Sequence, residues 1–179
     1  MFKNILVANR GEIACRILKT AQEMGIDTHV LYHHADRNTP QVRMAKYAHE
    51  LEAEVPVSAY LDIEQILQIA ERFEIESIHP GYGFLSENSA FCYAVEKVGI
   101  NYIGPTPESI QLLGDKITSR RTALEADVPV APSVQFDGDK EQFIQTCKEM
   151  GFPLLIKASA GVAEKVCMLL LTLTNLPKN

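Results

Sequence analysis

The stretch that decides the fold is HPGYGFLSEN, at residues 79–88. It follows a short apolar run at residues 75–78 and precedes a helical pattern that begins near Ser89. Parallel α/β sheets bind ligands in loops of this kind, which leave the carboxyl ends of the strands. Gly81 and Gly83 have no Cβ, so the backbone there can adopt positive φ angles and approach a bound group closely. The pattern therefore predicts a ligand site without indicating which reaction the site serves.

Upstream and downstream of this loop, strand-like and helical patterns alternate. Strands are predicted at residues 5–8, 28–32, within 48–57, at 75–78 and at 101–103, and helical spacing occurs over 12–24, 62–72 and 89–98. The run at residues 5–8, Ile-Leu-Val-Ala, is apolar throughout, as is typical of a strand buried on both faces. This alternation predicts an α/β fold with a doubly wound parallel sheet and right-handed crossovers.

The downstream part of the chain predicts a second, smaller unit. A short helix should begin after the cap residue Thr106, with Pro107 at its first position, and run to about Leu113, where Gly114 closes it; another helix should cover residues 115–126. The prolines in residues 128–132 indicate an extended connector, where we place a domain boundary. From Ser133 onward we expect a strand, a helix over residues 140–150 and a strand over residues 154–157. These are too few elements to enclose a core.

Composition excludes several classes of function. The chain has 179 residues, of which 46% are hydrophobic and 22% charged, so we expect one domain and part of a second. A net charge of −6 without a cluster of Lys and Arg argues against binding to nucleic acid or to an anionic membrane. The cysteines, Cys15, Cys92, Cys147 and Cys167, are far apart and form no zinc or redox motif. We expect reduced, buried thiols and a cytoplasmic protein.

Two lysines stand where they could contact phosphate. Lys116 begins a predicted helix directly after Gly114-Asp115, and Lys157 ends an otherwise apolar strand. Lysine is a compact positive charge suited to phosphate, although most lysines are simply solvated. Lys157 is the better candidate, because a charge at the end of an apolar strand is harder to explain as a surface residue.

Other polar residues near the predicted strand ends are weaker candidates. Residues 9–12, Asn-Arg-Gly-Glu, form the first βα turn, where nucleotide-binding folds hold pyrophosphate, but the full Gly-x-Gly-x-x-Gly pattern is absent. A tight turn without a ligand is the favoured interpretation, and the same ambiguity applies to Asp36 as a ribose contact. His79 could act as a base, although a hydrogen-bonded structural histidine is the more frequent case.

Five segments occur in a fixed order along the chain: ILVANRGEIA at residues 5–14, HPGYGFLSEN at 79–88, IGP at 103–105, GDK at 114–116 and IKAS at 156–159. Together they resemble the biotin carboxylase component of biotin-dependent carboxylases, in the ATP-grasp superfamily. The resemblance is nearly continuous from Phe2 to Gly161. It implies a Rossmann-like pre-ATP-grasp domain at residues 1–113, a helix and connector at 114–132, and the truncated start of the ATP-grasp lid domain at 133–161.

The resemblance also implies an activity. Biotin carboxylases are ATP-dependent ligases that carboxylate carrier-bound biotin, with bicarbonate as carbon source and carboxyphosphate as intermediate. The implied cofactors are ATP, Mg²⁺ and biotin, and the implied partners are a biotin carboxyl carrier protein or domain and a carboxyltransferase. The parent enzyme would be an acetyl-CoA carboxylase of fatty acid biosynthesis, or a related acyl-CoA or pyruvate carboxylase.

Individual residues acquire roles from the same resemblance. Lys116 and Lys157 match family lysines that contact ATP phosphates, and the loop that holds His79, Gly81, Gly83 and Glu87 would face the active-site cleft. Family members are typically dimers that use the first helix among other surfaces. This implies an interfacial role for Arg16, Lys19 and Glu23, and a solvated helix face explains these three residues equally well.

After Gly161 the chain departs from the family pattern. The family continues with a glycine-rich lid loop and later supplies metal-binding carboxylates and a catalytic base, whereas residues 162–179 here follow none of this. We therefore expect no catalytic residues, no metal ligands and no activity in this chain alone. The tail is predicted to be a frameshift product, because residues 161–167 can be encoded by GGG GTG GCG GAA AAG GTA TGC, and these chosen codons, read from the third base, give Gly-Gly-Gly-Lys-Gly-Met, the lid loop of the family. The alternatives are a non-catalytic binding module or another ATP-grasp ligase, and residues 79–88 count against the latter.

Overall fold

The computed structural model describes residues 2–134, 136, 138–157 and 167–170. The chain divides into two compact units, Met1–Gly114 and Asp115–Asn179. The division lies next to the predicted end of the first domain at residue 113 and precedes the connector at residues 128–132. None of the helices in the described ranges is long and apolar enough to cross a membrane.

The first unit is a five-stranded parallel sheet with helices on both faces. Its strands are β1 (Asn4–Val7), β2 (Asp27–His33), β3 (Tyr47–Leu51), β4 (Ser77–His79) and β5 (Asn101–Tyr102). Its helices are α1 (Gly11–Glu23), α2 (Pro40–Met44), α3 (Pro56–Ala59), α4 (Ile63–Arg72), α5 (Ser89–Lys97) and α6 (Pro107–Gly114), with a 3-10 turn at His34–Asp36. The strand order β3-β2-β1-β4-β5 confirms the predicted doubly wound parallel sheet.

The sheet is buried on both faces, as its apolar central strand predicts. In β1, Leu6 and Val7 are fully buried and point to opposite faces. Val7 packs with Leu18 of α1, whereas Leu6 belongs to a larger cluster that includes Ile66 of α4 and Phe91 of α5. The helices thus cover the sheet from both sides and leave its two ends open to loops.

Side-chain caps fix where the helices of this unit begin. The carboxylate of Asp62 accepts a hydrogen bond from the Gln65 amide at 3.0 Å, and Asn88 does the same for the Phe91 amide at 2.9 Å. These contacts satisfy backbone donors that have no partner within the helix. Asn88 is also the last residue of the glycine loop, so the same side chain fixes the end of the loop and the start of α5.

The structure differs from the sequence-based expectation between residues 48 and 57. Strand β3 ends at Leu51, and Pro56 begins the short helix α3. Proline lacks the amide that a strand ladder requires and has a φ angle suited to the first helical position, so the strand cannot continue through Pro56. The 3-10 turn at residues 34–36 and helix α2 were not predicted either.

The second unit has helices α7 (Lys116–Glu125) and α8 (Lys140–Met150) and strands β6 (Leu154–Lys157) and β7 (Cys167–Leu170). The predicted helices and the strand at residues 154–157 are present. The strand expected from Ser133 is absent from the described residues 133, 134 and 136. Strands β6 and β7 pair antiparallel, with Leu155 opposite Leu169, and β7 was not predicted. The assignment of residues 162–179 to a frameshift stays a prediction, and most of that segment lies outside the described residues.

Candidate functional site

The candidate site lies where the strand order reverses. Strand β1 has β2 on one side and β4 on the other, so the loops that follow β1 and β4 leave the sheet side by side. The amide of Ala8 donates to the His79 carbonyl at 2.9 Å and closes the gap between the two strand ends. Ligands of open parallel sheets bind at such positions, outside the carboxyl ends of the strands.

The side chain of Asn9 joins these two loops. Its Nδ2 donates to the carbonyls of Pro80 at 2.6 Å and Tyr82 at 2.9 Å, and its Oδ1 accepts from the Arg10 amide at 2.8 Å. Asn9 is only 2% exposed. Both amide protons of the side chain are therefore used to hold the glycine loop against the first βα turn. No local pattern in residues 9–12 indicates this structural role.

Both glycines of the loop have positive φ angles, +68° at Gly81 and +67° at Gly83. A Cβ at Gly81 would lie 2.7 Å from Nδ2 of Asn9, whereas one at Gly83 would meet no atom within 4 Å. The close approach at Gly81 is thus made by the Asn9 amide. Gly83 leaves open space on the outer side of the loop, which is where a ligand could reach the backbone.

His79 is held in a structural hydrogen bond. Its Nδ1 accepts from the Gly81 amide at 3.0 Å, so the neutral ring carries its proton on Nε2. Burial lowers the pKa of His79. A neutral ring that stabilises the turn at Gly81 favours the structural interpretation of this histidine over its use as a base.

Arg10 lies in a cage of aromatic and acidic side chains that sequence reasoning missed. Its Nη1 pairs with Asp36 Oδ2 at 3.0 Å, and its guanidinium lies over the rings of Tyr60 and Phe84, at 5.4 and 5.7 Å from their centroids. The Tyr60 hydroxyl donates to Asp36 at 2.8 Å and accepts from the buried His33 amide at 3.2 Å. The Asp36 carboxylate therefore accepts hydrogen bonds from both Arg10 and Tyr60.

This cage supports the second half of the glycine loop. Phe84 has a positive φ of 44°, and its ring stacks on Tyr60 at 5.1 Å. A bulky residue adopts this backbone conformation only where its surroundings stabilise it. The stacked ring and the cation over it supply that support, so Arg10 fixes Phe84 as Asn9 fixes Pro80 and Tyr82.

The loop presents two polar side chains to solvent. Tyr82 is 60% exposed, and its hydroxyl donates to Glu12 Oε2 at 3.0 Å, which raises the pKa of Tyr82. Glu87 is exposed as well. These groups and the open face of Gly83 are available to a bound molecule. Asn9, His79 and Arg10 instead contact other residues of the loop and stabilise its conformation.

The predicted phosphate contacts, Lys116 and Lys157, belong to the second unit. Lys116 is the first residue of α7, where Asp115 caps the helix by accepting from the Thr118 amide at 2.7 Å, and Lys157 is the last residue of β6. The side chains of both lysines lie outside the described part of the chain, so their role stays a prediction. The described residues contain no group of three or more His, Cys, Asp or Glu side chains that could hold a metal ion.

Of the predicted thiols, Cys92 and Cys147 are free and buried, and Cys15 is free and partly exposed. Burial raises the pKa of Cys92 to about 11, so this thiol is protonated at neutral pH. The side chain of Cys167 lies outside the described residues.

Comparison with known families gives two matches in sequence order. The model of the biotin carboxylase N-terminal domain matches residues 1–110. The model of the ATP-binding domain of the carbamoyl-phosphate synthase L chain matches residues 115–169. The two matches together include the first βα turn, the glycine loop and both lysines.

Individual relatives agree with these matches. The propionyl-CoA carboxylase alpha chain of Ruegeria pomeroyi is 41% identical over 90% of this chain and 24% of its own length. Biotin carboxylase 2 of Bacillus subtilis is 41% identical over 90% of this chain and 36% of its own length. The crystal structure of the biotin carboxylase domain dimer of Hydrogenobacter thermophilus 2-oxoglutarate carboxylase, with MgADP, ADP and bicarbonate, matches with a TM-score of 0.84 and 41% identity. That match covers 95% of this chain and 38% of the neighbour, so the chain spans between a quarter and two fifths of the length of these relatives.

Proposed function

The chain belongs to the biotin carboxylase family, and on that premise we propose that it supplies the glycine-loop side of a biotin carboxylase active site. The reaction is the ATP-dependent carboxylation of biotin on a carrier protein, with bicarbonate as the carbon source. The chain itself would contribute the rigid first unit and the beginning of the ATP-binding unit.

The observation that carries this proposal is the position of the Asn9 amide. It lies between the carbonyls of Pro80 and Tyr82 and so joins the two most specific motifs of the family resemblance at one edge of the sheet. An active-site loop must hold its geometry within a fraction of an ångström to position reactants. Asn9, together with the Arg10 cage around Phe84, gives the loop that rigidity before any ligand binds.

We propose that Lys116 and Lys157 contact the phosphates of ATP. In phosphoryl transfer, the protein chiefly positions the reacting groups and supplies positive charge around the phosphate oxygens. Lys116 is the first residue of α7, and Lys157 is the last residue of β6. Magnesium would supply further positive charge to the phosphates in such a reaction, and we assign no metal ligand among the described residues.

The proposed partners follow from the family. They are a biotin carboxyl carrier, a carboxyltransferase and, through α1, a second copy of the biotin carboxylase, in the cytoplasm. On α1, Arg16 pairs with Glu12 at 3.5 Å and Lys19 with Glu23 at 3.9 Å, and all four side chains are more than half exposed. The relatives do not identify one molecule that finally receives the carboxyl group, because their names include pyruvate, propionyl-CoA and 2-oxoglutarate carboxylases. Acetyl-CoA, with a role in fatty acid biosynthesis, is the acceptor proposed from the sequence resemblance.

We propose further that the 179-residue chain by itself does not carboxylate biotin. The test is phosphate release from ATP by the purified chain with magnesium, bicarbonate and free biotin. The comparison is a chimera in which residues 1–161 of this chain replace the matching segment of Bacillus subtilis biotin carboxylase 2, which is 41% identical. We expect biotin-dependent turnover from the chimera and none from the chain alone.

Each outcome of this assay discriminates between functions. An active chimera that loses turnover on Lys116→Ala or Lys157→Ala supports the proposed sites. A folded chimera with no biotin-dependent turnover would favour a non-catalytic binding module. Turnover by the chain alone at the rate of the chimera would contradict the proposal that it is inactive in isolation.

A further inference from the structure

The amino end of the sheet has a groove that the proposed reaction does not use. It is a cavity of about 650 Å³ between the segment that leads from α4 into β4 and the segment that leads from α5 into β5. Its lining therefore lies at the opposite end of β4 from the glycine loop. A molecule bound in this groove would leave the loop at residues 79–88 accessible.

The floor of the groove is apolar. Ala70, Ile75 and Ile100 form its buried part, Leu67 is partly buried, and Val98 is 57% exposed at the rim. Leu67 and Val98 keep apolar surface in contact with water, and covering such surface with another apolar surface lowers the free energy. The floor thus offers a place for aliphatic side chains rather than for a purely polar ligand.

The walls of the groove are strongly acidic. They carry Glu64, Glu71, Glu74 and Glu76. A second depression of about 510 Å³ shares Glu64 with the groove and adds Glu50, Glu52 and Asp62, so seven carboxylates line one continuous surface around α4. Together with Arg72, which lines the second depression, these side chains carry a net charge of −6 (seven carboxylates and one guanidinium), equal to the net charge of the whole chain.

Little positive charge compensates these carboxylates. Among the described residues that line the two depressions, Arg72 is the only Lys or Arg, and its guanidinium lies over the ring of Phe73 at 5.4 Å. The salt bridges of the described part of the chain include none of the seven carboxylates. Their hydrogen bonds come from neutral donors; Glu76, for example, accepts from the Lys3 amide at 2.8 Å.

We propose that this groove, with its apolar floor and acidic walls, binds a basic amphipathic segment of a partner polypeptide. Aliphatic side chains of the segment would cover the floor beside Val98, and its Lys or Arg side chains would face Glu71 and Glu74. Complementary charge of this kind accelerates association and selects partners. The sign of the charge argues against nucleic acid and anionic membranes, and the apolar floor distinguishes the partner from a simple polyamine.

The test uses the full 179-residue chain and three fluorescein-labelled synthetic peptides of equal length. One alternates Lys and Leu, one alternates Lys and Ser, and one alternates Glu and Leu. We expect fluorescence anisotropy to show binding of the Lys-Leu peptide, with an affinity that falls as salt is added. The Lys-Ser peptide should bind more weakly by about tenfold, and the Glu-Leu peptide should not bind.

Charge-reversal variants at two positions test whether the peptide binds in the groove. Glu71→Lys with Glu74→Lys should weaken binding of the Lys-Leu peptide by about tenfold or more, and Val98→Ser should weaken it by about threefold. The matched control is Glu125→Lys with Glu149→Lys, which changes the net charge equally at exposed positions of α7 and α8. The control should retain the affinity of the parent chain.

Three results would overturn the inference. The first is equal weakening by the groove pair and the control pair, which would show nonspecific attraction. The second is equal affinity for the Lys-Ser and Lys-Leu peptides, which would remove the role of the apolar floor. The third is a dimer of the parent chain in sedimentation velocity that the groove pair dissociates, since the occupant would then be a second copy of the chain.

Discussion

Asn4 and Asn9 stand at opposite ends of β1 and use the same chemistry in different surroundings. At the amino end, Asn4 donates to the Glu74 carbonyl at 3.1 Å and accepts from the Glu76 amide at 2.7 Å. At the carboxyl end, Asn9 donates to the carbonyls of Pro80 and Tyr82. Asn4 remains partly exposed, whereas Asn9 is 2% exposed. We infer from this comparison that the same amide contacts stabilise a loop more strongly where water cannot replace them.

The two ends of the sheet also differ in how their charged side chains are paired. At the carboxyl end, the cation of Arg10 is paired with Asp36 and covered by two aromatic rings. At the amino end, carboxylates such as Glu71 and Glu74 face solvent and take part in none of the salt bridges among the described residues. One end of the sheet therefore holds a cation that is paired and covered, and the other end presents carboxylates that lack a salt-bridge partner among the described residues.

The largest effect is expected from Asn9→Ala. The variant leaves the Pro80 carbonyl, in a buried setting, and the Tyr82 carbonyl, in a partly buried one, without their donor, which should lower the free energy of unfolding by about 3 kcal/mol. Urea denaturation followed by circular dichroism measures this change. A loss no larger than that of Asn4→Ala would break the distinction between the two ends.

The second largest effect is a pH dependence of stability, which we expect from the buried pair His29 and His49. Nδ1 of His29 and Nε2 of His49 lie 2.9 Å apart in the sheet, and both residues are buried. Burial, the His29 charge and Arg72 lower the pKa of His49 from 6.5 to about 4, and burial also lowers the pKa of His29. The folded state thus binds fewer protons than the unfolded state between pH 6.5 and 4.

Stability should therefore be full above about pH 6.5 and fall as the pH drops toward 4, by roughly 2 kcal/mol from this pair. Chemical denaturation at several pH values checks the sign and the window. His49→Gln removes one titrating group and should make the pH dependence shallower. Stability that rises as the pH falls through this window would contradict the assignment.

An intermediate effect is expected from Tyr60→Phe. The variant keeps the ring that stacks on Phe84 but removes the hydroxyl that joins the His33 amide to Asp36. The buried His33 amide loses its partner, so the free energy of unfolding should fall by about 1 kcal/mol. The control is Tyr93→Phe, because Tyr93 is 59% exposed. Equal melting temperatures for the two variants would show that the cage does not depend on this hydroxyl.

The smallest effect is expected from Asn4→Ala. Water can replace both hydrogen bonds at the exposed amino end, so the free energy of unfolding should fall by only about 0.5 kcal/mol. Urea denaturation under the conditions used for Asn9→Ala gives the comparison. A loss above about 2 kcal/mol would show that the amino end is held as firmly as the carboxyl end.

The sequence predicted the features that depend on neighbouring residues. The apolar run of β1, the spacing of α4 and the helical pattern that begins near Ser89 each have a local signal, and the structure confirms the resulting parallel sheet. The glycine loop was predicted as a site from its position after a strand. The positive φ angles of Gly81 and Gly83 are consistent with that prediction.

The features that sequence reasoning missed depend on residues far apart in the chain. Arg10, Asp36, Tyr60 and Phe84 come from four different loops and helices, and no pattern in the sequence shows that they meet. The Asn9 contacts join residues more than 70 positions apart. Such contacts follow from the strand order, which the alternation of elements does not specify.

The most direct test of the central claim compares the two asparagines in the active chimera. The measurement is kcat/KM for biotin-dependent ATP hydrolysis by Asn9→Ala and Asn4→Ala, at a temperature where thermal denaturation shows both to be folded. We predict that Asn9→Ala lowers kcat/KM by about tenfold or more, because the glycine loop loses its fixed position, while Asn4→Ala stays within about twofold of the parent. Equal activities for the two folded variants would contradict the claim that the carboxyl end of β1 positions the active-site loop.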